Sequence, residues 1–230
     1  MKFTDIILFR IIANTERKKC MFNNAIYISP RYSLDAYSEL NLSLSSNNQA
    51  WKNAIEIFID RMEGRFLLLI QYYSDNIRVD NRHIDYSFGS MALCCLFIET
   101  LHQFYNGLDE TVFRGHREAF IKFLTKSIFF SQYFTRRTAG YFYSDIRNGI
   151  LHQAQTKRNT QLTFDQDEMV TEIENGIRLD VIKFKDELIN EYQHYVDRLS
   201  RSSNIELREN FIRKMNYITT IDVVSNSRKQ

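Results

Sequence analysis

Between Tyr141 and Lys157 the chain reads YFYSDIRNGILHQAQTK. Two side chains in it suit chemistry on a phosphate ester. Arg147 carries a permanent charge on a planar fork that matches phosphate oxygens. His152 brings an imidazole, the side chain suited to taking up or releasing a proton in catalysis. On a regular helix, residues five apart sit about 140° apart around the axis and about 7.5 Å along it. One helix therefore keeps Arg147 away from His152. Two copies packed face to face gather two arginines and two histidines around one cleft. There a neutral histidine takes the proton from a ribose 2′-hydroxyl, and a protonated one supplies the leaving 5′-oxygen. Arginine stabilises the charge growing on the phosphate. Such cleavage needs no metal and leaves a 2′,3′-cyclic phosphate. Asn148, next to Arg147, is placed to orient the phosphate or a catalytic group.

Gly140, Ser144, Asn148 and His152 recur at four-residue steps, so a regular helix presents them as one small, polar stripe open to a second backbone. Only seven glycines and one proline, Pro30, occur in 230 residues. Two glycines in one helix, Gly140 and Gly149, therefore need a reason. Residues 133–160 hold Arg136, Arg137, Arg147, Lys157 and Arg158 against a single acid, Asp145. Residues 165–175 carry Asp165, Asp167, Glu168, Glu172 and Glu174 and no base. A basic patch on a chain of net charge +2 is where a phosphate is steered. Arg136, Arg137, Lys157 and Arg158 are the candidate RNA contacts, with an ordinary solvated face as the alternative. Thr156 and Lys157 fit a loop role equally well. Tyr141 and Tyr143 suit either packing or base stacking.

Arg147-Asn148-Gly149-Ile150-Leu151-His152 resembles the Arg-x(4–6)-His motif of the HEPN superfamily, in which a polar residue directly follows the arginine. GILHQAQTK, and IETLHQFYNG from Ile98 to Gly107, are similar to a group of uncharacterised bacterial HEPN-like proteins. The resemblance covers about residues 48–200. It implies a helical bundle that forms a homodimer with the motif at the interface. It further implies, as for many members, a metal-independent ribonuclease of a toxin–antitoxin or anti-phage system. RNA would then be the substrate, an antitoxin or defence-system protein the partner, and no cofactor or metal is called for. Some members add an acid from a preceding helix, and Glu99 is the residue here that fits that role. Some toxins carry a tyrosine two positions after the histidine, where an antitoxin modifies them. Ala154 stands there, which puts that regulation in doubt.

The elements that must position these residues are mainly helical. Scarce glycine and proline argue against an all-β chain rich in tight turns. Apolar residues at spacings of three and four predict helices over about 48–75, 86–106, 113–133, 137–154, 182–200 and 204–217. Asn106-Gly107 suits a helix end. Two short alternating runs around Asn175-Gly176 predict a β-hairpin. The expected fold is all-α, an antiparallel helical bundle with that hairpin inserted before the last long helix. Residues 1–47 form an N-terminal extension, 48–218 the HEPN-like helical domain and 219–230 a tail. Within the extension, Ile6 to Ile12 reads as a short helix or a strand, and Asn41 to Asn48 as a loop or a strand followed by one.

Several classes are disfavoured. Cys20, Cys94 and Cys95 form no CxxC, and His83, His102, His116 and His194 are scattered, against a zinc site or disulfide framework. No phosphate-binding glycine loop occurs. The longest apolar run, Met91 to Ile98, is too short to span a membrane. Asp5 and Arg10 interrupt any signal-peptide core, so a cytoplasmic, membrane-free protein is expected. Two rivals to the enzyme remain. One is a non-catalytic module binding nucleic acid, nucleotide or protein in the same cleft. The other is a helical interaction protein whose small stripe only mediates dimerisation.

Overall fold

Side chains that accept hydrogen bonds from first-turn N–H groups start most of the helices. Ser33, Asn47, Asp85, Thr135 and Asp180 each cap the next helix in the chain. The computed structural model describes residues 26–77, 85–111 and 115–227, with side chains to residue 220. The expected element at Ile6 to Ile12, Cys20 and His83 lie outside the described residues. α1 is Leu34–Ser38, α2 Asn48–Met62, α3 Leu68–Asn76, α4 Tyr86–Asn106 and α5 His116–Lys126. α6 is Arg136–Tyr141, α7 Asn148–Gln153, α8 Val181–Ser200 and α9 Ile205–Ser227. A π-helical turn, Glu63–Leu67, joins α2 to α3, and a second, Phe142–Arg147, joins α6 to α7. α6, that turn and α7 make one continuous motif helix.

The fold is mostly helical with a small three-stranded sheet. No helix among the described residues is long and apolar enough to cross a membrane. The joined α2–α3 runs antiparallel to α4, with ring contacts of 4.8 Å for Phe58–Phe104 and 5.2 Å for Phe66–Phe97. The hydroxyls of Ser74 and Ser90 meet further along. Phe211 of α9 closes this stack on Trp51, Phe58 and Phe104. Each fully buried ring contributes about 1.5–3 kcal/mol relative to its exposed state. Phe142 stacks on Phe184 at 5.0 Å and fixes the motif helix to α8. Residues 26–47 pack on α2, where the hydroxyl of Ser29 and the backbone N–H of Arg31 donate to Asp60. Pro30 lies over Gly64 so closely that a Cβ there would stand 2.3 Å from its Cγ.

The structure departs from the expected elements in three places. The helix expected to about 133 ends at Lys126, because Ser127 is extended with ψ 136°. Its hydroxyl donates to the buried Glu191, and Phe130 and Phe134 enter the core from a turn rather than a helix. The hairpin forms as expected from β2 (Val170–Ile173) and β3 (Gly176–Asp180), but β1 (Gln161–Thr163) adds a parallel strand on the other side of β3. Asn175, not Gly176, takes the left-handed conformation, at φ 55°. Gly176 instead admits Thr160, whose Oγ1 would lie 2.8 Å from a Cβ at that position. The last helix runs through the expected tail to Ser227.

Candidate functional site

Arg147 is the last residue of the π turn, and its side chain is only 16 % exposed. Its Nη1 donates to Asn148 Oδ1 at 3.1 Å and its Nη2 to Glu99 Oε2 on α4 at 3.2 Å. The guanidinium lies 5.7 Å from the ring centroid of Tyr143. Its Nε is buried without an acceptor. The other oxygen of Glu99 lies 2.9 Å from His116 Nδ1 on α5, a charge-pair distance without the alignment of a hydrogen bond. Three elements thus converge on one carboxylate. Glu99, the accessory candidate of the sequence, contacts Arg147, while His116 is an addition from 17 residues down the chain that no local pattern announces.

His152 stands apart from this cluster. It is exposed on the last turn of α7, with no hydrogen-bond partner among the described residues. The expected stripe is also broken. A π turn carries one residue more than an α turn and rotates the phase of the residues after it. Gly140 is buried beside Arg117, Ser144 bonds Asp145, Asn148 bonds Arg147, and His152 faces solvent.

Asp145 organises the chain leaving the motif. It is 1 % exposed and receives hydrogen bonds from the hydroxyls of Ser144 and Thr160, each at 2.9 Å. The guanidinium of Arg158 adds a two-nitrogen contact, with Nε at 3.1 Å. The backbone N–H of Lys157 donates to the Asp145 carbonyl at 3.1 Å. This clasp folds residues 155–160 back along the helix. Gly149 is needed for that return, because a Cβ there would stand 2.3 Å from the carbonyl oxygen of Gln155. Ala154 makes the turn with a positive φ of 52°.

Each arginine of the basic segment faces an acid. Arg136 pairs with Glu118, Arg137 with Glu172, Arg147 with Glu99 and Arg158 with Asp145. Glu172 comes from the acidic segment, so part of the charge contrast between the two stretches is spent on internal pairing. The Arg136 and Arg137 pairs are exposed and hold weakly. The Lys157 ammonium has no acid partner among the described residues. Tyr141 carries two guanidiniums, Arg158 at 4.9 Å and Arg137 at 5.8 Å from its ring centroid. Both tyrosines beside the motif therefore hold arginines. No family model, curated protein or solved structure matches the chain.

Proposed function

We propose that the chain is a cytoplasmic, metal-independent endoribonuclease of the HEPN kind, acting as a toxin or anti-phage effector, with a site completed by a second copy. The observation that carries this reading is the contrast between Arg147 and His152. Arg147 is fixed by Glu99 and Asn148, while His152 is exposed at the end of the same helix. A fixed cation and an unengaged imidazole suit a cleft that a two-fold partner closes. Arg147 keeps donors for a phosphate oxygen, since the guanidinium has five N–H groups. Asn148 and Glu99 restrict its fork to one orientation, which lowers the reorganisation needed in the transition state. His152 from one copy takes the 2′-hydroxyl proton, and His152 from the other protonates the leaving oxygen. Lys157 and the arginines at 136, 137 and 158 hold the flanking strand.

One observation favours the non-catalytic rival: the Arg147 guanidinium is already engaged within its own subunit. A single experiment separates the two. Labelled RNA is incubated with the protein in EDTA, beside Arg147→Ala and His152→Ala. The enzyme reading expects cleavage in chelator that falls about a hundredfold or more in both variants. Binding without cleavage gives the site to the rival, and RNA behaviour unchanged in both variants makes the motif structural.

A further inference from the structure

Next to the motif, a depression of about 340 Å³ is lined by Arg117, Arg137, Gly140, Tyr141, Ser144 and Arg158. Three guanidiniums in one hollow repel each other, so their convergence needs an explanation. Two have acid partners, one buried and one exposed. Arg158 is tied to Asp145 and Ser144, Arg137 to Glu172, and both lie against the ring of Tyr141. The third, Arg117, comes from α5 and makes no salt bridge among the described residues. Its Nη2 lies 3.0 Å from where a Cβ of Gly140 would stand, so the missing side chain leaves room for the guanidinium.

The backbone field adds to this charge. Arg117 and Arg137 are each the second residue of their helix. Helix N-termini favour acids and disfavour cations. The first turn of α6 has no acid, and the one in α5, Glu118, is taken by Arg136. Cations where the helix field opposes them fit an anion that relieves both. Three arginines less the two carboxylates that pair with them leave a net charge of about +1. That balance matches the single charge of a phosphodiester better than the double charge of a terminal phosphate.

We propose that this hollow is a subsite for one backbone phosphate of a single-stranded RNA. The strand's identity rests on the ribonuclease reading, whereas the phosphate chemistry rests on the hollow alone. Ser144 and Arg147 belong to the same π turn, so the subsite and the motif are carried by one helix. The ring of Tyr141 serves as a shelf for arginines, so this subsite grips the strand without reading its bases.

The test measures binding separately from cleavage. Fluorescence anisotropy follows a labelled single-stranded RNA on the His152→Ala protein, then with Arg117→Ala or Gly140→Ala added. Arg117→Ala is expected to weaken binding about tenfold and to lower the salt dependence by about one phosphate contact. Gly140→Ala keeps every charge and gives a better helix former, so heat stability holds or rises while affinity falls several-fold. A merely structural glycine would not separate the two. Adenosine monophosphate should compete poorly. Unchanged binding in both variants overturns the subsite, as does a mononucleotide that binds as tightly as the strand. If Arg117→Ala binds normally while cleavage still requires Arg147, the subsite is wrong and the ribonuclease reading stands. If Arg117→Ala loses the strand and the wild-type protein never cleaves it, the subsite stands and the catalytic reading falls. If the wild-type protein binds no RNA, both fall.

Discussion

Glu99 has two basic neighbours, Arg147 and His116, and His102 follows three residues later on the next turn of α4. Burial is the largest influence on His102 and lowers its pKa, the Lys122 ammonium lowers it further, and Glu99 opposes both. An imidazole that resists protonation in the fold protonates more readily in the unfolded chain. His102 therefore costs nothing above its ordinary value of 6.5, and it lowers stability as the pH falls below that. His102→Gln should flatten the acid side of the stability profile. Urea titrations from about pH 8 down to about pH 5 should show the wild type losing more stability than the variant. Equal losses would mean that other groups govern the acid limb. Glu99→Gln should steepen the loss, because it removes the one group that favours the His102 cation.

At the scale of the element, the motif helix depends on how its two glycines and Ala154 accommodate the chain around them. Gly149→Ala sets a Cβ against the backbone of Gln155, which no side-chain rotation relieves. It should cost about 2 kcal/mol or more despite alanine's better helix propensity. Ala154→Gly runs the other way. It removes a side chain from a left-handed position and should add about 0.5–1 kcal/mol. Denaturation midpoints of the two variants should move in opposite directions. A gain in Gly149→Ala would disprove the close return of the loop. The oddity of these glycines was legible from composition and position, but their purposes were not. Gly149 answers to a loop that begins six residues later, and Gly140 to an arginine on another helix. Asp145 was equally opaque, because its partners Arg158 and Thr160 lie 13 and 15 residues downstream. The hairpin was readable because Asn-Gly between alternating residues is a local signal. β1 is three residues long, too short to show a period. Ile128-Phe129-Phe130 kept an apolar spacing that looked helical after the helix had ended at a serine bonded across the fold.

At the scale of the whole molecule, helices legible from their spacing carry a site that only their packing assembles. The end of α4 was marked in the sequence by Asn106-Gly107, a local cap, and in the structure Asp85 caps its start. The convergence of Glu99, His116 and Arg147 depends on how α4, α5 and the motif helix cross, which a period of about 3.6 residues does not encode. The same holds for charge. A net of +2 hides a basic face whose arginines are largely matched within the subunit, so the RNA binding proposed for it depends on where unmatched cations gather. The proposed chemistry then depends on the level above the subunit. If each cleft needs His152 from both copies, one acting as base and the other as acid, then a dimer with one His152→Ala subunit is inactive. Wild-type and variant subunits mixed to random pairing at equal amounts should leave about a quarter of the activity per total protein. A subunit that carries a whole site of its own would leave about half. Gel filtration with light scattering, run on the same mixtures, checks that the variant pairs as well as the wild type. A linear fall in activity across the mixing series would refute a cleft that needs both histidines, because each variant subunit would then remove one site and no more.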